Sequence, residues 1–242
     1  MRLLIIRHAE PDYAVDSLTK KGFREAACLA ERLSKVKIDA FYVSPLGRAK
    51  DTAALTLEKL GREATECEWL REFAPRILRP DREYESVSWD WLPQDWTIED
   101  RFYDRTMWGE VDAMRAGKVK EEYQWVTESF DKLLASHGYV REQNYYRVEM
   151  GNHDTIALFC HFGVECVLLS HLLGVSPMIL WQGFCALPSS VTTVITEERR
   201  KGIACFRING FGDLSHLYAA GEEPSFLARF CENYENKEER HD

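Results

Sequence analysis

The chain has 242 residues, 45 % hydrophobic and 12 % aromatic, a composition that excludes a disordered protein and fits one large domain or one domain with an insertion. The formal net charge of −9 argues against a nucleic-acid or anionic-membrane surface, since either partner would require a basic face. Seven cysteines without a CxxC pair, and charges at Arg2 and Arg7 that interrupt any signal-peptide core, predict a reducing, cytoplasmic location.

The first part of the chain has the pattern of a β-α-β unit. Residues 3–6 and 38–43 are short apolar runs, typical of strands buried in a parallel sheet. Between them, Thr19 can cap a helix whose apolar spacing continues to Leu33. A second helix is predicted from Pro45 to Leu60, ended by Gly61, and a short extended stretch at 67–70 follows.

The middle of the chain changes character. Residues 73–154 hold five of the seven tryptophans and show one convincing helical stretch, at 120–136. We predict that a cap is inserted at about 74–154 into a single domain comprising residues 1–242, and that this cap has a small hydrophobic core of its own. Some of its aromatic residues, or Arg79, Arg82, Arg101 and Arg105, are expected to reach over the pocket as a lid.

The last part of the chain returns to alternating strands and helices. It predicts strands at 155–160, 190–196 and 203–208, and an apolar helix at 164–173. Residues 166–196 carry no Asp, Glu, Lys or Arg, but His171, Gly174 and Pro177 divide the segment, which favours buried elements over a membrane span. The predicted fold class is a three-layer α/β/α domain with a mostly parallel central sheet, in which the last two strands are antiparallel at an edge.

Charged and imidazole side chains follow three of the predicted strands. Arg7 and His8 follow the first strand, Arg48 lies shortly after the second, and His161 directly follows the strand at 155–160. The carboxyl ends of parallel strands meet at one edge of a sheet, so these side chains are expected to converge. Guanidinium groups can neutralise a phosphoryl group, and a neutral imidazole can attack phosphorus.

Several separated motifs of the chain resemble those of a known protein family. They are Leu4-Ile5-Ile6-Arg7-His8-Ala9-Glu10, Leu18-Thr19 with Gly22 and Ala26, Ser44-Pro45-Leu46-Gly47-Arg48-Ala49 with Thr52-Ala53, Trp69-Leu70-Arg71-Glu72-Phe73, Phe159-Cys160-His161, and Ser190-Val191-Thr192 with Leu214-Ser215-His216-Leu217. In this order they resemble the histidine phosphatase superfamily in its phosphoglycerate-mutase-like branch. The resemblance covers roughly two-thirds of the chain and leaves the central insertion unmatched.

The resemblance implies a role for each matching residue. His8 would be the nucleophile that is phosphorylated, while Arg7, Arg48 and His161 would hold the phosphate. Glu72 would protonate the leaving oxygen and then activate water. The expected activity is a metal-independent phosphatase acting on a small phosphomonoester through a phosphohistidine intermediate, with no metal and no cofactor.

The sequence departs from the family pattern at four positions. Ala9 replaces the usual Gly, Pro11 stands where Thr is common, and Ala14 stands where an Asn phosphate ligand often lies. Phe162 replaces the Gly that commonly follows the second His, which places an aromatic side chain beside the pocket. These differences bear on affinity and substrate more than on fold.

The sequence is compatible with two other functions and with other acidic residues in the role of Glu72. A mutase of the phosphoglycerate type would return the phosphoryl group to its product, and a phosphate-binding or scaffold protein would have lost turnover. Glu10, Glu66, Glu68 and Asp154 compete with Glu72 for the acid role. A thiol nucleophile at Cys160 is disfavoured, because a Cys phosphatase needs an Arg six positions later and residue 166 is Cys.

Overall fold

The computed structural model describes residues 1–227 and 229–239, so part of the predicted 1–242 domain falls outside the described residues. Its strands in chain order are β1 (Arg2–Arg7), β2 (Pro11–Asp12), β3 (Ser17–Leu18), β4 (Ala40–Val43), β5 (Thr65–Glu66), β6 (Arg76–Leu78), β7 (Glu85–Val87), β8 (Tyr139–Glu142), β9 (Tyr145–Val148), β10 (Thr155–Cys160), β11 (Val191–Arg200) and β12 (Ile203–Asp213).

The α-helices are α1 (Lys20–Leu33), α2 (Gly47–Leu60), α3 (Pro93–Trp96), α4 (Asp112–Ala116), α5 (Val119–Ser136), α6 (Phe162–Leu173), α7 (Pro177–Gly183) and α8 (Ser215–Ala220). Short 3-10 helices cover Glu68–Leu70, Asp100–Tyr103 and Trp108–Glu110. The extended stretch predicted at 67–70 is therefore wrong: the extended residues are those of β5, and a 3-10 turn follows them.

The caps confirm the predicted start of α1 and the predicted C-terminal end of α2. The Thr19 hydroxyl accepts a hydrogen bond from Gly22 N–H at the start of α1. Gly61 ends α2 in the left-handed conformation, with φ of +60°, a conformation that glycine adopts without a steric penalty.

The central sheet has eight strands in the order β5-β4-β10-β1-β11-β12-β9-β8. The four strands from β5 to β1 are parallel, and the rest of the sheet pairs antiparallel from β11 onward. The antiparallel part is thus larger than predicted. The reason is that β8 to β9 and β11 to β12 are joined by tight turns, and such turns can connect only antiparallel neighbours.

Alternate residues of the buried strands face two helical layers. Leu4 and Ile6 of β1 pack in one apolar cluster with Leu29 of α1 and Ala53 of α2. Leu3 of β1 packs in a second cluster on the opposite face, which also includes residues of α5, α6 and α7. This period-2 arrangement confirms the predicted three-layer α/β/α fold.

The segment predicted as a cap does not form a core of its own. Trp91, Trp108 and Phe130 belong to the same buried cluster as Leu3 and Ile156 of the main sheet. In addition, β9 of this segment pairs with β12 and extends the central sheet. The prediction of a separate small core is wrong, because the aromatic residues of this segment cover the apolar face of the sheet. The cap boundary at about 74–154 stays a prediction.

The uncharged segment at 166–196 is divided as predicted. It comprises most of α6, then α7 and the first part of β11. In the portion of the chain that the structure describes, no helix combines the length and the apolar character needed to cross a bilayer.

Candidate active site

Three parallel neighbours, β1, β10 and β4, bring the candidate residues to one edge of the sheet. Their register continues one residue past each strand: His8 N–H donates to the Cys160 carbonyl at 3.0 Å, and Ser44 N–H donates to the Phe159 carbonyl at 2.9 Å. His161 follows β10 directly and is the N-cap of α6. The structure therefore gathers His8, Ser44 and His161 beyond the carboxyl ends of the strands.

His8 lies at the centre of this group and is 2 % exposed. Its Nδ1 is 2.8 Å from the Ala9 carbonyl oxygen. Since a carbonyl oxygen only accepts, Nδ1 carries the hydrogen and Nε2 keeps its lone pair. Burial, followed by the charge of Arg7, holds the pKa of His8 well below its usual value. The side chain is a neutral imidazole with a nucleophilic Nε2.

His161 faces His8, with 5.0 Å between the ring centroids. Its Nε2 lies 2.8 Å from the Ser44 hydroxyl oxygen, while its Nδ1 is buried and has no hydrogen-bond partner among the described residues. Burial, followed by the neighbouring His8, holds the pKa of His161 well below its usual value. An unsatisfied buried nitrogen is costly, and a phosphoryl oxygen would satisfy it by accepting from Nδ1–H.

Two arginines flank the imidazoles. Arg7 is 6 % exposed and donates through Nη1 to the Ala186 carbonyl. Arg48 donates from Nη1 to Asp16 Oδ1 at 2.5 Å, and Asp16 Oδ2 accepts from Gly47 N–H at 2.7 Å. Asp16 therefore fixes the guanidinium of Arg48 against the start of α2. The charges of Arg7 and Arg48 both act on His8, the candidate nucleophile.

Glu72 lies at the start of α6, beside the imidazoles. Its Oε1 accepts hydrogen bonds from Phe73 N–H at 2.8 Å and Val164 N–H at 3.1 Å. Burial raises the pKa of Glu72, and the two backbone bonds and the charges of Arg7 and Arg48 oppose that rise. A carboxyl group with a raised pKa can act as a proton donor.

The other carboxylates considered from the sequence have different environments. Glu66 and Glu68 pair with surface cations at 2.7 and 3.6 Å. Glu10 accepts from the Thr19 hydroxyl at 2.7 Å. Asp154 precedes β10 and so lies at the amino end of that strand, away from His161. Of this set, Glu72 is the carboxylate that the fold places at the start of α6.

Three further residues at the site were not assigned from the sequence: Asp16, Ser44 and Glu165. Ser44 could have been found because it is the first residue after a parallel strand. Glu165 is 1 % exposed, and burial raises its pKa to about 7, with the nearby Thr192 hydroxyl lowering it. The sequence indicates Glu165 because it is an acidic residue in a predicted helix that is otherwise mostly apolar. Asp16 lies in a loop and gave no sequence signal.

The expected arginine lid stays a prediction. Three of the four predicted arginines form ion pairs with acidic residues of their own segment. Arg79 and Arg82 contact Asp81 and Asp90, and Arg101 contacts Glu99 at 2.6 Å. Arg105 approaches Gly174, at the far end of α6 from His161.

Within residues 1–227 and 229–239, no group of three or more His, Cys, Asp or Glu side chains is arranged to hold a metal ion. The polar groups that surround His8 are imidazoles and guanidinium groups, together with the Glu72 carboxyl group.

Two solved structures illustrate the likeness of the fold. A mutant phosphoserine phosphatase from Entamoeba histolytica, crystallised in complex with phosphoserine, is 21 % identical with a TM-score of 0.57, covering 89 % of this chain and 98 % of that one. A mycobacterial glucosyl-3-phosphoglycerate phosphatase is 20 % identical with a TM-score of 0.55, covering 87 % and 98 %. At these identities the likeness establishes the fold.

The sequence comparisons agree with the fold. A protein of Hydrogenobacter thermophilus named "Putative phosphoserine phosphatase 2" is 38 % identical over an 82-residue alignment, with coverage of 30 % of this chain and 40 % of that relative. This match therefore spans less than half of the relative's length. The sequence model described as histidine phosphatase superfamily (branch 1) matches residues 3–209. The chain belongs to the histidine phosphatase superfamily, branch 1.

Proposed function

We propose that the chain is a metal-independent phosphatase that transfers the phosphoryl group of a small phosphomonoester to His8 and then to water. The observation that carries the proposal is the state of His8. Its Nδ1–H is tied to the Ala9 carbonyl at 2.8 Å, so Nε2 is free to attack, and its ring lies 5.0 Å from that of His161.

The reaction has two steps. In the first, His8 Nε2 forms a bond to phosphorus as the bond from phosphorus to the ester oxygen breaks, and Glu72 gives its proton to the leaving oxygen. In the second, Glu72 takes a proton from water, the water oxygen bonds to phosphorus, and the N–P bond breaks. Inorganic phosphate leaves, and His8 and Glu72 return to their starting states.

Positive charge serves both the ground state and the transition state. Arg7 and Arg48 lower the pKa of His8, which keeps it a neutral nucleophile. The same two guanidinium groups would neutralise the equatorial oxygens of the transferring phosphoryl group. His161 Nδ1 would add a donor to one of these oxygens.

The test uses the purified full chain with para-nitrophenyl phosphate and excess EDTA. We expect release of inorganic phosphate in EDTA, and a loss of about 10³-fold or more in kcat in His8→Ala, because no other side chain replaces the nucleophile. The matched control is His153→Ala, which removes an exposed histidine and should behave as the parent. An acid-labile, base-stable phosphoenzyme should form in the parent and not in His8→Ala.

Other results would overturn the proposal. Activity abolished by EDTA would exclude the metal-independent mechanism. Equal background rates in the parent and in His8→Ala would favour a phosphate-binding or scaffold protein. Phosphoryl transfer between phosphoglycerates without release of free phosphate would identify a mutase.

We further propose that the physiological substrate is small and that the protein works in the cytoplasm without a nucleic-acid or membrane partner. The acidic net charge of −9 supports this, and the related structures are named for small phosphomonoesters, phosphoserine and glucosyl-3-phosphoglycerate. Cell fractionation that placed the protein in a membrane or nucleic-acid pellet would contradict it.

A further inference from the structure

Four aromatic side chains lie against the two arginines or against a ring that contacts one of them, and we call them the aromatic rim: Tyr13, Trp89, Phe162 and Phe230. The guanidinium carbon of Arg7 lies 5.6 Å from the centre of the Phe162 ring. The guanidinium carbon of Arg48 lies 5.4 Å from the centre of the Tyr13 ring. Each arginine is therefore in contact with an aromatic ring.

The rim continues outward from Phe162. Its ring packs edge-on against Trp89, with the centroids 5.9 Å apart, and against Phe230, with the centroids 6.1 Å apart. Phe162 is 2 % exposed, whereas Phe230 is 42 % and Tyr13 is 60 % exposed. Large apolar rings that are partly exposed beside a cationic site indicate a surface for the apolar part of a ligand.

The segment that carries Phe230 is anchored to the domain. Ser225 is fully buried, its N–H donates to Glu25 Oε1 at 3.2 Å, and its hydroxyl donates to the Glu10 carboxylate. Phe230 follows this anchor by five residues and reaches Phe162. The C-terminal segment therefore contributes the Phe230 ring to the rim.

The charge around the rim does not favour a second anionic group on the substrate. Arg229, next to Phe230, donates to the Ser225 carbonyl at 3.2 Å and lies 3.5 Å from Glu232. Three of the four cap arginines described above, Arg79, Arg82 and Arg101, are paired with acids of their own segment. A carboxylate beside the phosphoryl group, as in phosphoserine, would thus meet rings and compensated cations.

We infer, on the basis of the proposed function, that the substrate is a phosphomonoester whose alcohol carries an aromatic ring. The phosphoryl group would occupy the arginine and histidine site, and the ring would pack on Phe230. Offset or edge-on ring contacts, together with the apolar area that they bury, favour such a substrate over one with a short alkyl group.

The experiment compares two probes with the same type of leaving oxygen, 2-phenylethyl phosphate and ethyl phosphate, on the full chain. Because both release a primary alcohol, the ring is the main difference between them. We expect kcat/KM to be about tenfold or more higher for 2-phenylethyl phosphate. O-phosphoserine, which carries charge in place of the ring, should also fall well below 2-phenylethyl phosphate.

Variants assign the preference to the rim. Phe230→Ala should bring the ratio of the two kcat/KM values close to one, and Phe230→Tyr, which keeps a ring, should retain most of it. The matched control is Tyr145→Ala on β9, since Tyr145 is 38 % exposed and its strand lies near the opposite edge of the sheet from β4 and β10. This control should keep the ratio of the parent.

The outcomes separate this inference from the proposed function. If the parent hydrolyses neither probe in EDTA, the proposed function fails. If it hydrolyses both at similar kcat/KM, or prefers O-phosphoserine, the function stands and the aromatic substrate class is wrong. A high ratio that survives Phe230→Ala overturns the assignment to the rim.

Discussion

At the residue scale, the environments of His8 and Glu72 push their pKa values apart. Burial and positive charge lower the pKa of His8, whereas burial raises the pKa of Glu72. Burial therefore favours the neutral imidazole of His8 and the protonated carboxyl group of Glu72. This separation assigns the nucleophile and the acid within one small site.

Glu72→Gln tests the acid. We expect kcat for ethyl phosphate to fall by about 10²- to 10⁴-fold, because the alkoxide leaves poorly without a proton. The loss should be much smaller for para-nitrophenyl phosphate, whose leaving group is stable as an anion. Steady-state rates with the two esters provide the measurement, with Glu66→Gln on the surface as control. Equal losses with both esters would remove Glu72 from the acid role.

Glu165 makes stability depend on pH. Its pKa is about 7 in the folded protein, raised from 4.5 by burial. Between these values the folded protein keeps a proton that the unfolded chain releases, so this group lowers the unfolding free energy as pH rises. Glu165→Gln stays neutral throughout. Its unfolding free energy relative to the parent should therefore rise by about 1.4 kcal/mol per pH unit across this window.

Denaturant unfolding of the parent and Glu165→Gln at several pH values gives this difference directly. The control is Glu128→Gln, because Glu128 is exposed and its carboxylate meets water in the folded and unfolded chains alike. A difference between Glu165→Gln and the parent that is constant from acid to neutral pH would contradict the argument.

At the element scale, the β2–β3 hairpin and the start of α2 meet without space between them. A Cβ added at Gly47 would lie 2.0 Å from the Asp16 backbone oxygen. This close approach allows Asp16 to accept from Gly47 N–H and to hold Arg48. The glycine is therefore required by packing, and the position of Arg48 depends on it.

Gly47→Ala should lower the unfolding free energy by about 1–3 kcal/mol, even though alanine favours a helix. It should also raise KM, because the Asp16 contact that positions Arg48 is displaced. Chemical denaturation and steady-state kinetics measure the two effects. Gly183→Ala in α7 is the control, since an added Cβ there has no neighbour within 4 Å. Unchanged stability and KM in Gly47→Ala would refute this account.

At the scale of the whole molecule, the cap segment and the sheet share one apolar cluster. Trp108 and Phe130 of the segment pack in the cluster that contains Leu3 and Ile156. The β9 strand also hydrogen-bonds to β12 of the main sheet. The segment gains its burial from the sheet, so it has little basis for independent stability.

We therefore expect one cooperative unfolding transition. Five of the seven tryptophans lie in residues 73–154, so tryptophan fluorescence reports mainly on this segment, while far-UV circular dichroism reports on the whole chain. The two probes should give the same denaturant midpoint. An earlier transition by fluorescence would show that the segment unfolds on its own.

Local patterns made much of this architecture predictable. The apolar runs of β1 and β10, the Thr19 cap and Gly61 are determined by residues close in sequence, and the structure confirms them. The order of strands and the carboxyl-edge rule then bring His8 and His161 together. The pairing of β9 with β12 joins distant segments, and no local period encodes such a contact.

The sequence by itself determined the layered α/β/α class and the convergence of Arg7, His8 and His161, because strand periodicity and chain order are properties of short segments. The tertiary structure alone decided that Asp16 holds Arg48, that three of the cap arginines face their own acids, and that Phe230 reaches Phe162. Some of these contacts join residues that are far apart along the chain, and the others follow no periodic pattern. Packing and charge select the partners of each residue once the fold has formed.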